Sequence, residues 1–195
     1  MTEVSIGNKT KLSYTKEIKL IDLTNFNTKL NLGSGKENLK GYINIDWISS
    51  PKTNLMLNLS TEKLPFIDSS ISEIRAYDVL EHLWNWEDLI EECIRILKVG
   101  GRFELHVPYR LTDLNTYHKR FFDETTFDGF LVGSVDFDSP YATTLEGSPV
   151  FRRISRTYNR KPFYPFAWHL KKYLGIPCIG KKIGMTEKFE KVKHG

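Results

Sequence analysis

"LNLGSGKENLKGYINID", residues 30–46, decides the fold of this chain. An apolar run meets two glycines that bracket one residue, Gly33 and Gly35, and a second apolar run ends in Asp46. A glycine turn after a strand lets backbone approach a ligand closely and presents free amide donors. A dinucleotide fingerprint needs a third glycine where Asn38 stands, and an acid about 20 residues on. Here residues 33–41 are all that is left for the crossover, whereas parallel connections take about a dozen or more. At most one helical turn fits, which disfavours NAD or FAD. An acid at a strand tip still suits a ribose, because a carboxylate accepts hydrogen bonds from two vicinal hydroxyls.

Working outward, 28–32 and 42–46 read as strands, followed by 53–59, 72–80 and 102–108. From Trp86 to Leu97 the positions Leu89, Ile90, Cys93, Ile94, Ile96 and Leu97 recur at helical spacing. Acids crowd the first turns, Lys98 ends the helix, and Gly100 and Gly101 stop it. Strands with few internal charges, separated by helices or short crossovers, predict an α/β fold: a three-layer, doubly wound, mostly parallel sheet. Residues 109–149 break the rhythm and read as a loop insertion over the carboxyl ends of the strands, where such sheets bind ligands. Segments 150–158 and 187–193 are expected to form a closing antiparallel pair.

The chain has 195 residues, 40% hydrophobic and 27% charged, which suits one globular domain with a real core. No apolar run approaches the roughly 20 residues of a transmembrane helix. The opening "MTEVSIGNKTKLSY" lacks a signal-peptide layout. Cys93 and Cys178 make neither a disulfide framework nor a zinc pattern, and Cys93 on an apolar helix face is expected to be a buried structural thiol. The expectation is a cytoplasmic protein. The net charge of +4 is uneven, because residues 151–195 carry twelve Lys and Arg against Glu187 and Glu190. That basic quarter is either a docking face for nucleic acid, a phosphorylated substrate or an anionic surface, or a solvated face.

The series "LNLGSG…GYINID…LPFIDSSISEIRAYDVLEHL…LIEECIRILKVGGRFELHVPY" resembles the class I S-adenosylmethionine-dependent methyltransferases. It is most similar to a short-crossover group found with glycan and cell-surface biosynthesis enzymes. The resemblance covers about residues 28–127. It implies a Rossmann-like single domain: a cofactor core (28–108), a substrate-side insertion (109–149) and a basic C-terminal part (150–195). It implies S-adenosylmethionine as cofactor, with Gly33, Ser34 and Gly35 at its methionine part, Asp46 on the ribose and Leu59 beside the adenine. Asn31, Trp47, Tyr77 and Asp78 complete the implied cofactor set. Ser34 stands where cysteine is frequent, and Asn58 where an acid is common.

Methyl transfer is an in-line displacement from a sulfonium, in which the protein aligns the acceptor and removes a proton from it. "YHKRFFDETTF" (117–127) follows the fifth strand and should overhang the reaction centre. His118 is the candidate base, with Asp78 and Tyr109 as further catalytic candidates and Arg120 as a substrate contact beside His118. Phe121, Phe122 and Phe127 are expected to form the loop's small core, Trp84 and Trp86 to pack as core or lid, and His106 to be a satisfied core or edge histidine. No metal is assigned. An alternative gathers Asp78, Glu81, His82 and His118 around Mg²⁺, similar to the Glu-x-x-Glu-His site of small-RNA 2′-O-methyltransferases. Phe163, Tyr164, Phe166, Trp168 and Tyr173, with Lys171 and Lys172, are expected to cover the sheet's last helix rather than form an interfacial patch.

The expected function is O-methylation of a saccharide, a nucleotide-linked sugar or another anionic small molecule. Two rivals stand beside it: an RNA methyltransferase using the basic region, and a non-catalytic cofactor-binding scaffold or partner subunit.

Overall fold

The computed structural model describes residues 2–6, 10–14, 20–37, 39–110, 117–131, 151–162 and 180–192, with backbone only for 2–6, 10–14, 160–162 and 180–181. Nine strands are found among them: β1 (Thr2–Ile6), β2 (Thr10–Tyr14), β3 (Lys29–Leu32), β4 (Ile43–Asp46), β5 (Leu55–Met56), β6 (Ile71–Tyr77), β7 (Leu97–Pro108), β8 (Phe151–Pro162) and β9 (Gly180–Lys191). One α-helix, α1 (Trp86–Ile96), lies between β6 and β7. β1 and β2 pair as an antiparallel hairpin, and the other seven form one sheet in the order β5-β4-β3-β6-β7-β9-β8. The first five of these run parallel and β9 and β8 close the edge antiparallel. This is a class I Rossmann-like α/β fold.

In β4 all four residues are buried, as are Leu30, Asn31 and Leu32 of β3, so the centre of the sheet is covered on both faces. The short crossover between these strands holds by side-chain bonds rather than by a helix. Asn44 is its pin: its Oδ1 accepts from the Leu39 amide at 3.1 Å and from Asn31 Nδ2 at 2.9 Å. Its own amide donates to Asn54 Oδ1 at 2.8 Å. These bonds satisfy backbone that a helix would have satisfied internally.

α1 buries Trp86, Leu89, Ile90, Cys93 and Ile96 on one face. Burial drives the Cys93 thiol pKa upward, the state of an inert core thiol. Arg95 staples the helix to the preceding loop, donating to the carbonyls of Leu64 at 3.0 Å and Phe66 at 2.8 Å.

Several expected boundaries shift for local reasons. The strand read at 53–59 pairs only at Leu55–Met56, as the sheet's outer edge. The strand read at 72–80 stops at Tyr77, because Asp78 turns to a φ of +54°. Gly100 and Gly101 do not stop the helix. Buried Leu97 adopts extended backbone and enters β7 directly, so both glycines lie inside that strand. The closing pair is longer than expected, since β9 pairs with β8 at Tyr158↔Met185 and with β7 at Phe103↔Phe189.

Of the insertion, residues 109–110 and 117–131 are described. Phe122 and Phe127 stack at 5.7 Å, and both meet the Trp86 ring edge-on, at 5.4 and 5.9 Å. The loop's core is therefore continuous with α1, while Phe121 is exposed. Cys178 and the aromatic group from Phe163 to Tyr173 lie outside the described residues. No helix among the described residues is long and apolar enough to cross a membrane.

Candidate functional site

The chain leaves β3 toward β4 and β5 on one side, while β6, β7, β9 and β8 lie on the other. Ligands of open α/β sheets bind at such a switch point, beyond the carboxyl ends of the strands. A cleft of about 570 Å³ lies there, lined by residues that include Gly33, Asp46, Trp47, Leu59, Asp78 and Val79. Its size is within the range of small-molecule sites.

Gly33 has a φ of +59°, and a Cβ there would lie 2.3 Å from Val79 Cγ2. Glycine is thus required twice, by backbone conformation and by the close approach of the segment after β6. Beside it, Asp46 Oδ2 accepts from the Gly35 amide at 2.7 Å and Oδ1 from the Ile48 amide at 2.9 Å. A carboxylate has about four lone-pair positions, so Asp46 retains acceptor capacity toward the cleft. The Ser34 hydroxyl is buried with no hydrogen-bond partner among the described residues. A turn with an unspent polar atom, flanked by an acid and by apolar Leu57, Leu59 and Val79, fits a ligand that is part amino acid and part nucleoside.

A second cavity of about 370 Å³ shares Asp78 and His82 with the cleft and adds Glu81, His106, His118 and Asn159. Glu81 and His82 lie in a 3₁₀ turn, Leu80–His82. The overhanging loop is tied to this turn, since the Lys119 amide donates to the Glu81 carbonyl at 2.7 Å. His82 Nδ1 lies 3.3 Å from the Tyr117 carbonyl, and the His82 and His118 rings meet edge-on at 5.0 Å.

The four-residue metal grouping divides. Ligand atoms of Glu81, His82 and His118 lie within 4.8 Å of one another, while Asp78 turns to His106, its Oδ1 at 2.6 Å from Nδ1. Two imidazoles and one carboxylate also depart from the oxygen cage that Mg²⁺ prefers.

The other expected site residues are placed differently. Asn31 is buried, its amide donating to Asn44. The Tyr77 hydroxyl donates to Glu104, and Arg75 lies 3.7 Å over its ring. Burial, with Glu104 adding to it, pushes the Tyr77 pKa up to about 12. Tyr109 donates to Glu124 and meets Tyr158 edge-on. Arg120 stacks over exposed Trp84 at 4.8 Å. None of these four lines either cavity among the described residues. Lining residues that sequence reasoning missed include Val79, Asn159 and Gly184, the first signalled only as an apolar residue after a strand. His106 is a satisfied histidine as expected, bonded to Asp78 and Asn159 from separate segments.

The cations of the C-terminal region whose side chains are described are engaged within the fold. Arg153 and Arg156 pair with buried Glu187, Arg152 with Glu190, Lys182 with Glu124 and Lys188 with Glu104. The Lys191 ammonium donates to the carbonyls of Ile94 and Leu97 at 2.7 and 2.8 Å.

Residues 40–105 match the family model described as a methyltransferase domain. A Mycolicibacterium smegmatis protein named "Probable S-adenosylmethionine-dependent methyltransferase" is 35% identical over 65 residues, 30% of this chain and 25% of its own. The Mycobacterium tuberculosis protein "Probable S-adenosylmethionine-dependent methyltransferase Rv3030" is 27% identical over 134 residues, 59% of this chain and 48% of its own. The chain thus spans less than half the length of these curated relatives. The YcgJ protein of Bacillus subtilis is alike in fold, with a TM-score of 0.53 at 15% identity over 86% of this chain and 93% of its own.

Proposed function

From the premise of a class I S-adenosylmethionine-dependent methyltransferase fold carrying a methyltransferase domain over residues 40–105, we propose that the protein methylates a hydroxyl of a neutral, polyhydroxylated small molecule of the saccharide class. When bound, S-adenosylmethionine supplies an electrophilic methyl group on a sulfonium. In this reading the Gly33–Gly35 turn receives the methionine part, Asp46 accepts from the ribose hydroxyls, and Leu57 and Leu59 flank the base. Asp78 stands at the junction where the cleft meets the second cavity.

The two cavities share Asp78 and His82 in their linings, and this adjacency supports the reading of a polar acceptor pocket beside the cofactor cleft. The described lining of that pocket holds carboxylates, imidazoles and Asn159, without lysine or arginine. Such groups bind neutral hydroxyls and repel an anion, which weighs against a phosphorylated acceptor.

Calorimetric titration with S-adenosylhomocysteine, followed by label transfer from methyl-labelled S-adenosylmethionine to neutral sugars, sugar nucleotides and RNA, tests the proposal. Binding of the homocysteine and labelling of a neutral sugar are expected. Absence of binding overturns the reading, as does labelling confined to RNA or sugar nucleotides.

A further inference from the structure

We propose that His106 is the proton acceptor of the transfer, with Asp78 and Asn159 as its positioning residues; this rests on the methyltransferase reading above.

The arrangement crosses four adjacent strands. Asp78 follows β6, His106 lies in β7, Gly184 in β9 and Asn159 in β8, the order in which these strands lie in the sheet. Asp78 Oδ1 lies 2.6 Å from His106 Nδ1, and Asn159 Nδ2 lies 3.1 Å from His106 Nε2. An ionised carboxylate only accepts, so Nδ1 carries the proton; Nε2 is then the lone-pair nitrogen, receiving the Asn159 amide. This is the tautomer a general base requires, held by a carboxylate on its far side.

Two features are built around that ring. A Cβ on Gly184 would lie 2.5 Å from His106 Nε2 and 3.0 Å from its Cε1. Glycine in the intervening strand therefore opens the passage through which the imidazole reaches Asn159. Asp78 adopts a φ of +54°, a region that non-glycine residues seldom enter and that tends to occur where a site demands it. That turn presents the carboxylate to His106 while its amide donates to the His106 carbonyl at 3.1 Å. The His118 ring meets His82 edge-on at 5.0 Å, with the Glu81 carboxylate within 4.8 Å.

In the step, the acceptor hydroxyl takes the place of the Asn159 amide at Nε2. Its O–H bond breaks and the oxygen's electron pair forms the bond to the methyl carbon. The former carbon–sulfur pair stays on sulfur. The proton rests on Nε2, where the Asp78 carboxylate balances the imidazolium, and then passes to solvent.

Two measurements test the proposal. Long-range proton–nitrogen NMR of the whole chain, with His106 assigned by its loss in His106→Gln, should show a neutral ring protonated at Nδ1. A neutral ring protonated at Nε2 overturns the proposal whether or not an acceptor is known. With the labelled cofactor and the neutral-sugar panel, His106→Gln should lower kcat by about 100-fold or more, the usual scale of a general base. Gly184→Ala should do the same, with S-adenosylhomocysteine affinity within about threefold of the parent in both variants. Parent-like turnover in His106→Gln overturns the proposal and leaves the methyltransferase reading intact. Failure of the parent chain to bind S-adenosylhomocysteine refutes that reading instead, and leaves the NMR result standing as a statement about the ring.

Discussion

Asp46 and Gly35 are joined by a 2.7 Å hydrogen bond from the Gly35 amide to the Asp46 carboxylate, which ties the tip of β4 to the turn after β3. One acid thus shapes the glycine turn and faces the cleft. Asp46→Ala should weaken S-adenosylhomocysteine binding by tenfold or more and lower stability by about 1–3 kcal/mol, the scale of hydrogen bonds made to a charged group. Asp46→Asn keeps one acceptor oxygen and should fall between. Equal affinity of all three proteins in calorimetry would detach Asp46 from the cofactor.

Gly33 and Val79 are in conflict the moment Gly33 gains a methyl group. Gly33→Ala should lose about 1–3 kcal/mol in denaturant unfolding, through overpacking and a positive φ together. Adding Val79→Ala should restore part of that loss, because the contact at 2.3 Å is with its Cγ2. The backbone share should persist. Full restoration would mean that sterics alone demand glycine there.

Glu124 accepts from the Tyr109 hydroxyl and pairs with Lys182 and Arg110. The Tyr109 bond is the largest cause holding its pKa down at about 2, against an ordinary value of 4.5. A carboxylate depressed in the folded state adds stability above its unfolded pKa and loses it as the pH falls toward the folded value. Between about pH 4.5 and 2, the parent should lose stability more steeply than Glu124→Gln. Parallel acid-unfolding curves would count against the pair's role in holding the insertion.

Glu187 is buried between Arg153 and Arg156, with Arg153 Nε at 3.0 Å. Removing the acid takes the shared counter-charge from both guanidinium groups, leaving Arg153 to Asp128 and Arg156 to the Glu124 carbonyl. Glu187→Gln should cost about 3–5 kcal/mol, the scale for breaking a buried ion pair. Calorimetric unfolding measures it, and a loss under about 1 kcal/mol would show that solvent reaches the arginines.

Much of the cleft's glycine-turn wall was legible because it is encoded locally. Gly33, Gly35 and Asp46 are separated by few residues, and the apolar face of α1 repeats at helical spacing, so neighbour relations along the chain become neighbour relations in space. The shortness of the first crossover was legible too, although Asn44 as its pin was not, since a polar residue in a buried strand gives no sign of its partner. The ends of β6 and β7 were misread for a similar reason: Asp78 entering positive φ and Leu97 passing from helix to strand are both imposed by the sheet.

The order of the glycine turn, the acidic strand tip, the amphipathic helix and the strands was therefore determined by sequence alone, because hydrophobic period and turn chemistry act over a few residues. The tertiary structure alone brought His106 between the Asp78 carboxylate and the Asn159 amide. Asp78, His106, Asn159 and Gly184 come from segments far apart in the chain, and only strand order and register bring them to one ring.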